Sequence, residues 1–145
     1  MNEIAAKALF MAQMPALFSL AKIRGWEVHG AAYPTVDVTF TAAERRPLRV
    51  HMHAPDWDDT PPGITLLLPS GEPHPPDKLP TQGMFNHSAH NVTGKPFICS
   101  PGSQEYHTHT SHAADLWSNY REKSAFTLPG ILTQIWNGWL IAPIT

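Results

Sequence analysis

The sequence predicts an α+β domain in which a helix comes first, a small antiparallel meander sheet follows, and a helix closes the chain. Three observations predict it. Apolar residues recur at helix-like spacings over residues 2–24 and again over 128–140. Between them, two short runs alternate apolar with polar, the period of a half-buried strand. Eight prolines then crowd residues 55–80, where a central strand could not find its ladder hydrogens. At 145 residues the chain is read as one domain, 1–145. It is long enough to bury about two-thirds of its unfolded surface.

In the first helix, Ile4, Ala8 and Met11, then Leu17, Leu20 and Ala21, hold the spacing. Pro15 has no N–H to give and fits a first turn, so it should kink or restart the helix there. Gly25 is the stop. Packing on its own sheet is the commoner fate of such a helix; a partner-binding amphipathic helix is the alternative. Val36, Val38 and Phe40 then point one way and Asp37, Thr39 and Thr41 the other. Leu48, Val50 and Met52 alternate with Arg49, His51 and His53, and the short link 42–47 predicts an antiparallel hairpin. Residues 64–68 form a continuous apolar run between Gly63 and Pro69, read as a strand buried on both faces. The proline-rich stretch, densest at His74-Pro75-Pro76, reads as a rigid extended loop. Residues 115–125, with Leu116, Trp117 and Tyr120, are predicted helical. Thr127-Leu128-Pro129-Gly130 opens the last helix, whose Leu128, Leu132, Ile135 and Trp139 make one stripe that Ile131 and Trp136 widen.

Composition excludes several classes. Hydrophobic residues make up 42% and charged residues 15%, which argues against disorder. The net charge is −2 with no basic run, so a phosphate-tracking nucleic-acid surface is not expected. Lys7, Gln13, Ser19 and Lys22 interrupt the apolar N-terminal segment, and no positive leader precedes it, so neither a signal peptide nor a membrane span is expected. With one cysteine and no export signal, a reducing cytoplasm is the expected location. No Gly-x-Ser-x-Gly, Gly-x-x-x-x-Gly-Lys-Ser/Thr, His-Glu-x-x-His or Gly-x-Gly-x-x-Gly occurs, so no cofactor is expected and any activated substrate must come from elsewhere.

Cys99 is that single cysteine, and one cysteine can be a buried filler, a lone metal ligand or a nucleophile. Ser100-Pro101-Gly102 after it predict exposed, turning backbone. Asn91 lies eight residues upstream and is either a side-chain amide serving the thiol's chemistry or a plain turn residue. His107 and His109 stand two apart, so on an extended segment both would face the same way, and one could serve as a base over Cys99. Together with His112 they could instead bind a metal, or form a solvated loop. His90 either orients neighbouring backbone or sits at the surface.

The order of these features resembles the ubiquitin-conjugating enzyme family. Pro73-His74-Pro75-Pro76 looks like the Pro-Pro turn that follows the family's third strand. The family's His-Pro-Asn tripeptide has its asparagine eight residues before the cysteine, where Ala89-His90-Asn91 stands here. Trp117 and residues 128–140 look like the tryptophan and leucine-rich helix that follow. The likeness spans residues 15–141. There are departures: the tripeptide has become Ala-His-Asn, the cysteine-to-tryptophan distance is lengthened by residues 104–114, and the last two helices of eukaryotic members have no counterpart. Tyr106-His107-Thr108-His109-Thr110-Ser111-His112 ahead of the tryptophan looks more like the prokaryotic branch, whose members accompany bacterial antiphage operons, including those with a cyclic-oligonucleotide synthase (CBASS).

The resemblance implies a transferase in which Cys99 carries an acyl group as a thioester, with Asn91 as an oxyanion donor or loop support. Losing one such donor typically costs about a hundredfold to a thousandfold in rate. It further implies that the cargo is a partner protein's C-terminus, that of the synthase in such an operon, supplied by a separate activating enzyme or already activated. Two rival readings stand beside it: a catalytically inactive docking module of the same fold, and a small metalloprotein using His107, His109 and His112.

Overall fold

A computed structural model describes residues 2–143. The N-terminal helix is two helices. The Asn2 side chain accepts from the Ala5 N–H at 2.8 Å and starts α1 (Glu3–Ala12). The chain breaks at Gln13, and Pro15 falls in the first turn of α2 (Met14–Arg24), which Gly25 ends in the left-handed conformation at φ +71°. By length and composition residues 3–24 could cross a membrane. Here the segment is broken, and Phe10, Met14, Leu17 and Ala21 belong to the core.

Four strands follow: β1 (Glu27–Ala32), β2 (Thr35–Phe40), β3 (Leu48–His53) and β4 (Gly63–Leu67). They pair antiparallel in the order β1-β2-β3-β4, a meander. Strand β1 was not expected. One sheet face is apolar, with Val36, Val38, Phe40, Val50 and Met52 fully buried. The other is polar, and there Arg49 grips Asp37 with two bonds of 2.8 Å while His51 Nδ1 lies 3.4 Å from the same carboxylate. Strand β4 departs from the expected two-sided burial. Ile64 and Leu66 are buried but Thr65 and Leu67 are only half-buried, because β4 edges the sheet and one of its sides belongs to the polar face.

The last helix, α4 (Leu128–Ile141), buries the predicted stripe of Leu128, Leu132, Ile135 and Trp139, and Ile131 with it. Thr127 Oγ1 accepts from the Gly130 N–H at 3.0 Å, and Gln13, the residue at the α1/α2 break, accepts from the Leu128 N–H at 2.8 Å. Trp136 and Trp139 pack on Phe40, so α4 is fixed against the sheet by aromatic contacts.

Two connecting segments differ from expectation. Residues 115–125 are not an α-helix. Two 3-10 turns, Trp117–Asn119 and Ser124–Phe126, form there, with Trp117 buried and Leu116 57% exposed. One buried residue gives no helical stripe, and Asp115, Ser118, Asn119 and Ser124 favour turns. The long connection to Cys99 contains a small hairpin of β5 (Phe85–Asn86) and β6 (Phe97–Ile98). A short helix, α3 (Gln104–Thr108), follows it and packs on β4 and β6.

Candidate active site

Cys99 lies directly after β6, where its N–H donates to the Met84 carbonyl at 2.6 Å, so the hairpin fixes its main chain. The side chain is half-buried. Ser100 to Ser103 then form a tight turn closed by the Ser103 N–H on the Ser100 carbonyl at 3.3 Å. Pro101 supplies the preset φ and Gly102, at φ +102°, the conformation L side chains avoid. Ser103 links the turn to α3. Its hydroxyl donates to the Ile98 carbonyl (2.7 Å) and accepts from the Tyr106 N–H (3.0 Å), as an N-cap.

The predicted site residues separate. Asn91 is exposed in the turn at the far end of the hairpin and forms no hydrogen bond among the described residues. His90, by contrast, is 2% exposed. Its Nδ1 accepts from the Val92 and Thr93 N–H groups at 3.0 and 3.3 Å, and its Nε2 donates to the Glu105 carbonyl at 2.7 Å. It shapes the hairpin turn and ties it to α3, the first of its two readings.

His107 and His109 do not share a face, because α3 replaces the extended segment that would have aligned them. His107 is a strut. Its Nδ1–H donates to the Asp115 carbonyl at 2.7 Å and its Nε2 accepts from the Gly102 N–H at 3.1 Å. Both nitrogens are thus occupied, and burial pushes its pKa below the usual histidine range. His109 stacks on Phe97 with ring centres 5.2 Å apart. Its Nδ1 accepts from the Ser111 N–H at 3.2 Å.

The histidine at the thiol is His112, with Nε2 3.4 Å from Cys99 Sγ. Its ring lies flat on Tyr106, centres 4.4 Å apart and planes within 15°. Asp115 is the carboxylate of this cluster. One of its oxygens, Oδ2, accepts from the hydroxyls of both Tyr106 (2.6 Å) and Tyr120 (2.7 Å). Those two bonds hold its pKa below the usual aspartate range. The same bond, before burial, pushes the Tyr106 hydroxyl up to about 12.

No group of three or more histidine, cysteine or acidic side chains could hold a metal ion among the described residues, and the occupied nitrogens of His107 are the physical reason its loop does not form one. A cleft of about 360 Å³, lined by none of Cys99, Tyr106, His112 and Asp115, opens between residues 64–67 of β4 and the hairpin tip at 93–96. Glu105 reaches it from α3. Burial raises the pKa of its carboxyl, even though Oε1 accepts from the Ile64 N–H at 2.9 Å.

Sequence reasoning placed the base at His107 or His109 and missed His112, Tyr106 and Asp115 as members. Ser103 was the available signal: a serine after a Pro-Gly turn is a helix N-cap, which puts residues 104–108 on a helix and turns His107 away from His109. No protein-family model matches the chain, and no curated protein matches it.

Proposed function

We propose that this chain is an acyl-carrying thiol transferase of the ubiquitin-conjugating type. The observation that carries the reading is the Cys99–His112 contact of 3.4 Å at a half-buried thiol that follows a fixed hairpin. A thiol whose proton has an acceptor at hydrogen-bond distance is set up as a nucleophile. In the reaction, His112 Nε2 takes the proton from Cys99 Sγ. The thiolate then attacks an activated acyl carbonyl and expels its leaving group, giving a thioester. An amine attacks that thioester, loses a proton and releases the Cys99 thiolate.

The order of elements also supports the reading: helix, four-stranded antiparallel sheet, proline-rich connection, cysteine and crossing helix. With the motif likeness, it leads us to take the fold as ubiquitin-conjugating-like and the setting as the bacterial cytoplasm, in antiphage defence of the CBASS kind. The cargo is then the C-terminus of a partner protein, the cyclic-oligonucleotide synthase of such an operon, delivered by a separate activating enzyme or already activated.

The test is intact mass of the chain co-expressed with its genomic neighbours, with and without thiol reductant. A protein-sized adduct that reductant removes, and that Cys99→Ala lacks, is the expected result. Conjugation that survives Cys99→Ala, or an unmodified complex with every partner present, overturns it. The second outcome favours a docking module, a reading for which the exposed Asn91, away from any hydrogen bond, is the specific observation.

A further inference from the structure

Asp115 takes no part in the proton transfer just described, yet it collects two tyrosine hydroxyls on a single oxygen beside the site. Tyr106 comes from α3, and Tyr120 ends the first 3-10 turn. The Asp115 main chain is held as well. Its N–H donates to the His112 carbonyl at 2.9 Å and its carbonyl accepts from His107 Nδ1. His107 Nε2 in turn holds the turn after Cys99. Asp115 therefore joins the segment carrying His112 to the segment carrying Cys99. Its partner Tyr106 provides the ring on which His112 lies.

We propose that Asp115 is a positioning residue for the Cys99–His112 pair: through the Tyr106 hydroxyl it seats the ring beneath His112. The proposal rests on reading Cys99 as a nucleophile and on no particular cargo.

The groups that face or act on His112 are Cys99, Tyr106, His109, His107 and Asp115. Asp115 is the one carboxylate among them. No proton passes along the chain. The bonds from Tyr106 and Tyr120 keep Asp115 ionised, and Tyr106, pushed up to about 12, keeps its own proton at any working pH. The arrangement is support, not a relay.

Cys99 is the sole cysteine, so alkylation by iodoacetamide, followed by intact mass, reports on this thiol alone. Rates are measured between about pH 6 and about pH 10, where a thiol passes into thiolate. The comparison covers the parent chain, Asp115→Asn, Tyr106→Phe, His112→Gln and the Asp115→Asn/His112→Gln double variant, with folding checked by circular dichroism. The bond that seats Tyr106 is worth about threefold to tenfold in an equilibrium, and the ionised acceptor strengthens it. Asp115→Asn, which weakens that bond and loosens His112 from the thiol, is therefore expected to slow alkylation about threefold to tenfold near neutral pH and to converge with the parent at the alkaline end, where hydroxide takes the thiol proton. Tyr106→Phe, which keeps the ring and loses the bond, should move the same way. In the His112→Gln background, Asp115→Asn should add nothing.

A purely structural role for Asp115 would change the rate by one factor at every pH. That result, superimposed profiles, or an undiminished Asp115 effect without His112 would overturn the proposal. Should Asp115→Asn not fold, Tyr106→Phe decides by the same criterion. A missing protein adduct alongside the expected alkylation profiles would sink the acyl-carrier reading and leave this one standing.

Discussion

Replacing Gly102 with alanine tests how the backbone holds Cys99 in place. Gly102 has φ +102°, outside the range L side chains adopt, and strain of this kind costs about 1–3 kcal/mol. A Cβ there would also lie 3.1 Å from Ile131 Cγ1 and 3.2 Å from Phe126 Cδ1, tighter than ordinary van der Waals contact. Forcing a methyl into such packing costs about 1–3 kcal/mol. One backbone shift can relieve both, so the two do not simply add, and the expected loss is about 2–4 kcal/mol. Urea unfolding followed by tryptophan fluorescence would read it as a lower midpoint at unchanged slope. The two sources separate in a double-mutant cycle with Ile131→Ala, which removes the Ile131 contact but not the Phe126 contact or the strain. A coupling of about 1 kcal/mol is expected. A Gly102→Ala loss below about 1 kcal/mol would refute the reasoning, because the strain alone should exceed that.

Three further perturbations test other parts of the structure. Burial works against the Asp37 charge, but the Arg49 and His51 bonds outweigh it and lower its pKa below the ordinary 3.8. The stability it contributes is therefore full above pH 3.8 and lost as pH falls through the lower folded value, and Asp37→Asn should lower the neutral-pH urea midpoint and flatten the acid limb of a midpoint-versus-pH curve. Glu105 has the opposite sign. Burial raises its pKa above 4.5, so folding loses stability as pH rises from there through the folded value, and Glu105→Gln, which can still accept from Ile64, should raise the midpoint at neutral pH with no gain in acid. On the proposed function, His112→Ala should cut the rate of thioester formation at Cys99 about a hundredfold or more while leaving partner binding intact, measured as adduct yield against time by mass.

The elements that could be read from the sequence are those whose signals are local. Pro15, Gly25 and the 4-3-4 stripe of α4 each act within a turn or two of chain, and each falls where expected. Strand β1 could not be read this way. Glu27-Val28-His29-Gly30-Ala31-Ala32 offers one β-branched residue, and its register slips between Val28 and Gly30. Its pairing with β2 makes it a strand, and that is a property of the neighbour. Residues 115–125 failed for the converse reason. Trp117 and Tyr120 have helical spacing, but only Trp117 is fully buried, and the Tyr120 hydroxyl is turned to Asp115.

The site follows the same division. Cys99 and the turn after it were legible because Ser-Pro-Gly writes its own geometry. The partner of Cys99 was not, since His112 lies thirteen positions on, across a helix, and which histidine arrives depends on where α3 ends. The segment 104–114, the one least like the ubiquitin-conjugating pattern, thus contributes Tyr106, His107 and His112, and its next residue is Asp115. On the proposed reading the cysteine and its hairpin come from the shared pattern and the base from the added segment. Replacing His112 alone, since α3 and its contacts to β4 and β6 stay, should then leave the fold and any docking function in place while slowing the reaction of the thiol. A docking module would not register the loss.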